Sequence, residues 1–425
     1  MTLHFSYNLL NFLSRFLNFG LFWIIVNKLG ASGETDWFFF VYGFVYFCIS
    51  TAFFSLEFAL VPTWPRLSQK EKKGFWQACI ILGIISVIPL QFIGLAFSLY
   101  LPGFFGFTIP FSKGHTVLLS ILLFLQPSLA YFSALSSSLL QSSGHYFWPI
   151  THLSLRTLGV LPLLLLPFCS GVTCLSVAYI VGELVRFLFL MSAVRRYGVR
   201  FSLIERFEVS PYRQYLIAMG WMALMISASA LNPYIDLVMV GRLGDGNATL
   251  VEYAGRLRGL PVLLLSGTLI ILLGDWSRKQ EQGLLWNQIT GNAWKIGLWG
   301  LIIAGGLIFS RQYWIPLVFR VQQFDSWQLG TLDSLMIWYL VGAPFVLFNG
   351  ALGRGFMVLQ WFRLLAVVAL ISVVINVMLN FVFIKVFGII GVSVSTTVLD
   401  GIQSFAYFYV GKKFMKIKQE SQKLI

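Results

Sequence analysis

Charged residues are scarce in this sequence. They make up 11% of its 425 residues, whereas apolar residues make up 58%. A soluble globular domain carries roughly one-quarter charged residues. Polar stretches longer than a loop are also missing, so the chain lacks the hydrophilic linkers that separate soluble domains. Together these shortages exclude a soluble fold.

Histidine and cysteine are equally rare, with four of each. The histidines are scattered, no cysteine has zinc-ligand spacing with a histidine, and neither a Gly-rich phosphate loop nor a nucleophile elbow is present. These absences argue against an enzyme. Cys169 and Cys174 flank a short predicted outer loop. A disulfide there is one interpretation, and we expect two free thiols instead.

Apolar runs of 18 or more residues dominate the chain, and each is long enough to cross about 30 Å of hydrocarbon. Short alternating strands, as in a membrane β-barrel, are missing. We therefore predict an all-α membrane protein with about twelve transmembrane helices. The predicted spans are residues 7–27, 36–62, 76–101, 117–142, 147–168, 172–194, 214–240, 250–274, 290–310, 330–356, 363–385 and 388–411.

The positive charges are unevenly distributed among the predicted loops. If the N-terminus is inside, the cytoplasmic loops and tail hold more than half of the 30 basic residues. The positive-inside rule then predicts a multi-pass protein of the bacterial cytoplasmic (inner) membrane with both termini cytoplasmic. Basic inner loops facing anionic lipids account for most of the net charge of +14, so we expect membrane lipids as partners and no nucleic acid.

The two halves of the chain match weakly but in order. Lys28-Leu29-Gly30 aligns with Arg242-Leu243-Gly244, and Glu183 aligns with Asp400. Since each half contains six spans, the repeat is parallel. We predict two six-helix bundles, residues 1–205 and residues 206–425 with a short cytoplasmic tail, around a central cavity. This organisation favours a carrier.

A charged side chain at the bilayer centre costs at least about 2.5 kcal/mol. We therefore expect each charged residue inside a predicted span to have a structural or functional role. Arg186 lies one turn from Glu183 and suggests a structural pair. Arg15 and Arg256 are candidates to bind an anion, since guanidinium suits phosphate groups. The alternative is that they anchor helix ends. The basic residues concerned are Arg15, Arg156, Arg186, Arg256, Arg258 and Arg354.

Four oxygen-bearing side chains lie in predicted spans of the second bundle. Asn376 and Asn380 share one face of the eleventh span, Thr396 lies on the twelfth, and Asp236 lies on the seventh. Such oxygens suit a hard cation such as sodium. Interhelical hydrogen bonding is the alternative interpretation.

A series of short motifs then follows the order of a known family. They are Ser14-Arg15, Leu29-Gly30, Asp36-Trp37-Phe38-Phe39, Val61-Pro62, Tyr253-Ala254-Gly255-Arg256-Leu257 with Leu260-Pro261, and Leu352-Gly353-Arg354-Gly355-Phe356. Over nearly the whole chain this series resembles the bacterial lipid II flippase (MviN) family of the multidrug/oligosaccharidyl-lipid/polysaccharide exporter superfamily. The resemblance implies a flippase for an undecaprenyl-diphosphate-linked saccharide, working by alternating access. We expect the chain to act as a monomer.

The resemblance also implies residue roles. Arg15 and Arg256 match cavity arginines that hold the diphosphate of the substrate, and Asp36 matches an acidic position at the outer end of helix two. The sodium site of some members is matched in spacing by Asp236, Asn376, Asn380, Val392 (through its carbonyl) and Thr396. No other cofactor is expected.

The match departs from the family pattern in places. Leu21 replaces an arginine, the second helix carries no arginine after Asp36, and twelve spans are expected where fourteen are typical. Three alternatives therefore stay open. They are a polysaccharide or O-antigen repeat-unit flippase, a MATE-type multidrug or cation exporter, and a membrane glycosyltransferase or ligase acting on the same lipids.

Overall fold

The computed structural model describes residues 2–64, 68–145, 147–167, 171–197, 213–277, 282–319, 323–359 and 361–423. Within these residues the chain forms twelve α-helices and no strand, which confirms the predicted all-α fold. The helices are α1 (Thr2–Leu29), α2 (Gly33–Thr63), α3 (Gln69–Phe104), α4 (Lys113–Ser142), α5 (Phe147–Leu165), α6 (Gly171–Arg196), α7 (Arg213–Val240), α8 (Asn247–Ser277), α9 (Gln282–Val318), α10 (Ser326–Val358), α11 (Phe362–Phe387) and α12 (Ile390–Lys423).

Eight of these helices are long and apolar enough to cross a membrane within their described residues. They are α2, α3, α4, α6, α7, α9, α10 and α11. The described residues of α1, α5, α8 and α12 do not meet both criteria.

Local sequence signals fix several helix ends. At the start of α2, the Ser32 hydroxyl accepts a hydrogen bond from the Thr35 amide, and the Thr35 hydroxyl accepts one from the Ser32 amide. This reciprocal pair is a capping box. Asp325 and Gln328 make the same reciprocal pair at the start of α10. These caps satisfy backbone amides that a helix start otherwise leaves without partners.

The first compact unit contains residues Met1–Tyr234 and Gly244–Gly246. Within it, α4 packs against α2, α3 and α6, while α5 packs against α6 and α1. A core of aliphatic and aromatic side chains joins α2, α3, α4 and α6. Its buried members include Phe53, Trp76, Leu139 and Leu190. Helix α4 therefore organises this unit.

The second compact unit contains Ile235–Leu243 and Asn247–Ile425. Here α10 packs against α8, α9 and α12, and α11 packs against α12. The partners of α10 thus repeat those of α4 six helices earlier in the chain. The predicted domain boundary between residues 205 and 206 lies outside the described residues.

One expectation about cysteine is wrong. Cys174, in the first turn of α6, is disulfide-bonded, whereas Cys48 and Cys79 are free. Cys169 lies outside the described residues. A disulfide at the start of α6 fits a helix end on the oxidising side of a membrane.

Helices α5 and α6 approach closely through glycine. A Cβ atom at Gly159 would lie 2.8 Å from the Gly182 Cα atom, and one at Gly182 would lie 2.7 Å from the Arg156 carbonyl oxygen. Both neighbours are backbone atoms, which cannot move aside as a flexible side chain can. Small residues at such crossings are how membrane helices gain packing contacts.

We predict that Gly182→Ala destabilises the protein by about 1–3 kcal/mol, because the added methyl group forces α5 and α6 apart. Thermal unfolding in detergent measures the effect. Gly401→Ala in α12 is the matched control, since a Cβ atom there meets nothing within 4 Å. Equal melting temperatures for the two variants would contradict the prediction.

Candidate functional site

Asp236 is the centre of a buried cluster of polar side chains in the second unit. Its Oδ1 atom accepts hydrogen bonds from the Nδ2 atoms of Asn376 (2.8 Å) and Asn380 (2.7 Å), and its Oδ2 atom lies 2.8 Å from the Thr396 hydroxyl. Asp236 is 3% exposed and both asparagines are fully buried. The structure thus brings together four of the five residues expected at a cation site.

The fifth residue joins through its backbone. The Thr396 hydroxyl lies 2.9 Å from the Val392 carbonyl oxygen as well as 2.8 Å from Asp236. A hydroxyl has one proton and can donate to one of these oxygens at a time. One oxygen–oxygen contact is therefore left without a proton from Thr396, and either a bound cation or a proton on Asp236 would relieve it.

Asn380 supplies a second indication of a cation site. Its Oδ1 atom is buried and has no hydrogen-bond partner among the described residues. Side-chain amide oxygen and nitrogen are assigned from the hydrogen-bond network rather than seen directly. In the structure the Nδ2 atom of Asn380 faces Asp236, so its Oδ1 atom would join the oxygens around Asp236 only if the amide were rotated by half a turn. Without that rotation, the oxygens that suit a hard cation are those of Asp236, Thr396 and Val392.

The chain reaches this geometry through a tight turn between α11 and α12. Gly388 has φ = 62°, a left-handed conformation that favours glycine. A Cβ atom at Gly391 would lie 2.2 Å from the Phe383 carbonyl oxygen, so only glycine fits there. This close turn lays the first turns of α12, with Val392 and Thr396, beside Asn380 at the end of α11.

A second buried acid lies on α12. Asp400 is ion-paired with Arg258 of α8, and its carbonyl oxygen accepts a hydrogen bond of 3.0 Å from Asn349. The guanidinium of Arg258 also lies 5.8 Å from the centre of the Tyr339 ring. Arg258 therefore ties α8 to α10 and α12.

The first unit contains a buried charged cluster at the related position. Glu183 of α6 contacts Arg156 of α5 at 2.9 Å and is ion-paired with Arg186 one turn further along α6. Glu183 is 0% exposed and Arg186 is 2% exposed. The suggested Glu183–Arg186 pair is therefore present, and Arg156 is its third member.

Asp36 lies at the beginning of α2 and is 3% exposed. Its Oδ2 atom accepts a hydrogen bond from the Gly246 amide at 2.6 Å, and Gly246 belongs to the same unit. Nearby, the Thr108 hydroxyl donates to Asp245 at 3.1 Å. The contact seen for Asp36 is thus with backbone, and its role toward a substrate stays a prediction.

The two arginines expected to bind an anion differ in what the structure describes. Arg15 lies in the middle of α1, and its side chain is outside the described set. Arg256 lies well inside α8 rather than at its start, and its Nε atom is 2.8 Å from Glu252. The side chains of this pair are 29% and 28% exposed, so both are within reach of a ligand.

Sequence reasoning missed the importance of Arg156 and Arg258. Both were noted as charges within spans, yet neither was chosen as a site residue. The signal was the alignment of Glu183 with Asp400, because two aligned buried acids each require a basic partner. The partners come from non-equivalent helices, α5 and α8, so the repeat alone would not have found them.

Repeated helical units with buried charges and a candidate cation site define a class, the polytopic secondary transporter. Solved structures of such transporters share the fold. A structure described as lipid II flippase MurJ in an inward closed conformation matches with a TM-score of 0.83 and 19% identity, covering 96% of this chain and 87% of that one. An inward-facing multidrug resistance MATE family transporter of the MOP superfamily matches with a TM-score of 0.70 and 14% identity, covering 98% and 96%.

A mutant of the Vibrio cholerae MATE transporter VcmN is also similar, with a TM-score of 0.60, 13% identity and coverage of 97% and 92%. No curated protein matches the chain. The family model of the lipid II flippase MurJ matches residues 25–424. The chain belongs to that family, which confirms the resemblance found in its motifs and the prediction of a flippase rather than an enzyme.

We predict that Asp36→Leu frees the segment around Gly246, because the Gly246 amide loses a charged acceptor worth about 1.5–3 kcal/mol. Hydrogen–deuterium exchange of peptides covering residues 244–246 measures the loss, which we expect as faster exchange. Glu34→Gln, an exposed change in the same helical turn, is the control. Unchanged exchange in Asp36→Leu would show that the hydrogen bond contributes nothing.

Proposed function

We propose that this protein moves an undecaprenyl-diphosphate-linked saccharide of the lipid II type across the bacterial cytoplasmic membrane. The match of the flippase family to residues 25–424 is the observation on which the proposal depends. Alternating access supplies the mechanism, in which the saccharide and diphosphate cross through the protein while the lipid tail stays in the bilayer. One copy of the chain contains every charged cluster described above, so we propose that it acts as a monomer.

Arg256 is the proposed contact for the diphosphate. Its ion pair with Glu252 is more than one-quarter exposed, and such pairs contribute only about 0–1 kcal/mol. A diphosphate carries more charge than a carboxylate and accepts from the planar guanidinium fork, so it can displace Glu252 at little cost. We propose Arg15 of α1 as a second contact. The Asp36 carboxylate would not bind the anion itself. It would help by positioning the segment around Gly246, whose amide it accepts.

Both chain termini are proposed to be cytoplasmic. The uneven distribution of lysine and arginine supports this orientation. The disulfide of Cys174 adds support, because that orientation places the start of α6 outside the cell, where disulfides persist.

We propose sodium as the ion that occupies the Asp236 cluster. One carboxylate, the Thr396 hydroxyl, the Val392 carbonyl and the Asn380 amide oxygen would hold it, with Asn376 as a further amide ligand. The buried Oδ1 of Asn380 and the shared hydroxyl of Thr396 support a cation here. When bound, sodium would join α7, α11 and α12 and so favour one conformation of the second unit.

We expect Arg256→Ala to lose at least about tenfold in transport, since a charge-assisted contact to the diphosphate is worth about 1.5–3 kcal/mol. Proteoliposomes with lipid II in the inner leaflet, probed for appearance of the headgroup outside, measure it. Arg311→Ala is the matched control, because the ion pair of Arg311 with Asp333 is partly exposed, like that of Arg256 with Glu252.

A parallel assay with a polyprenyl-linked O-antigen repeat unit tests the substrate. Transport of that lipid and not of lipid II by the wild-type protein would refute the proposed substrate. Normal lipid II transport by Arg256→Ala would refute the arginine's role alone.

Sodium binding predicts a cation-specific stabilisation. Replacing potassium gluconate by sodium gluconate should raise the melting temperature of the wild-type protein by about 3 °C at saturation. Asp236→Asn should abolish the difference, because the carboxylate charge is lost. Asp333→Asn, which changes an exposed carboxylate, should retain it. A wild-type protein with equal stability in both salts would refute the sodium site.

A further inference from the structure

The cluster of Glu183, Arg156 and Arg186 contains more positive than negative charge. Two guanidinium groups meet one carboxylate, with Arg156 on its Oε1 atom at 2.9 Å and Arg186 on its Oε2 atom. Among the ion pairs of the described residues, no other carboxylate contacts either arginine. Glu57 of α2 hydrogen-bonds Gln141 instead. One positive charge is therefore left over.

This excess charge is almost completely removed from solvent. The side chains of Glu183, Arg186 and Arg156 are 0%, 2% and 14% exposed. An uncompensated charge in such surroundings costs several kcal/mol. The cluster would be more stable with one further negative charge.

Neutral groups compensate only in part. The Arg156 guanidinium lies 4.9 Å from the centre of the Tyr179 ring and donates to the Tyr42 hydroxyl, and Arg186 lies 5.1 Å from the Phe53 ring. Cation–π contacts of this kind contribute about 0.5–2 kcal/mol each. The Arg186 Nε atom remains buried with no hydrogen-bond acceptor in the described part of the chain. This buried charged donor is a group to which an anion could bind.

We infer that this cluster binds a small monovalent anion of the halide class, with chloride as its physiological form. A halide is a single atom, so it can accept from the guanidinium edges that Glu183 leaves free without needing a large cavity. Arg156, the most exposed member, gives it access. The inference rests on the charges of this cluster alone and not on the proposed transport of a lipid.

The second unit carries the opposite excess. There Asp236 and Asp400 are both buried acids, and among the described ion pairs only Asp400 has a guanidinium partner, Arg258. The cluster around Glu183 thus has a surplus positive charge, whereas the buried acids of the second unit have a surplus negative charge. A monovalent anion and a monovalent cation would neutralise them respectively.

Chloride titration at fixed ionic strength tests the inference. The full-length protein in lipid nanodiscs is moved from potassium gluconate to potassium chloride, without sodium, and both melting temperature and ³⁶Cl⁻ binding are measured. We expect the wild-type protein to gain about 3 °C at saturation. Arg186→Gln leaves one guanidinium and one carboxylate, so chloride binding should be lost. Wild-type protein that shows no chloride binding would overturn the inference.

Glu183→Gln separates a binding site from a structural ion pair. This change doubles the excess positive charge, so chloride affinity should rise at least about tenfold even if the protein itself is less stable. Because Arg186→Gln can fail to fold, Glu183→Gln/Arg186→Gln provides a second test. It restores a single surplus charge and should bind chloride again. Lack of binding by this double variant, if folded, would contradict the charge argument.

Arg311→Gln, at an exposed ion pair, is the matched control and should bind chloride like the wild-type protein. Inorganic diphosphate in place of chloride distinguishes a halide site from a headgroup site. If diphosphate alone stabilises the protein through Arg186, the cluster belongs to the lipid substrate and the halide inference is wrong. Loss of lipid II transport with chloride binding intact would refute the proposed function and leave this inference standing.

Discussion

Compensation of charge without water is the constraint on which this structure depends. The hydrocarbon of a bilayer offers no hydrogen bonds, so each polar group in a span must find its partner within the chain. The caps at Ser32 and Asp325, the glycine-lined crossing of α5 with α6, and the ion pairs of Glu183 and Asp400 all meet this requirement. Close packing is what brings those partners into contact.

The two units meet the constraint by different means. Each has a buried acid on its sixth helix, Glu183 or Asp400, yet the compensating arginines come from α5 and α6 in one unit and from α8 in the other. Both units therefore share the packing around α4 or α10, and both have a buried acid that requires a basic partner. The helix that supplies this partner differs between them. Two copies of one fold can thus acquire opposite electrostatic character with few substitutions.

The sequence predicted the helices well, because runs of apolar residues determine membrane spans almost by themselves. Helical spacing placed Asn376 and Asn380 on one face of α11, and the family resemblance grouped them with Asp236 and Thr396, as the structure does. The sequence did not single out Arg156 and Arg258, which pair with the buried acids. Which guanidinium meets which carboxylate depends on helix rotation and crossing, and these are set by packing that periodicity does not encode. The bonded state of Cys174 likewise depends on three-dimensional proximity.

Opposite surplus charges have a consequence for a transporter of anionic lipids. A diphosphate that enters the protein adds negative charge, and an excess guanidinium lowers the cost of that step. A sodium ion at Asp236, as we propose, would remove negative charge from the second unit. Chloride at the Glu183 cluster would remove the surplus positive charge there and so weaken the attraction of the first unit for a diphosphate. The buried charges of each unit therefore decide which small ion that unit can hold.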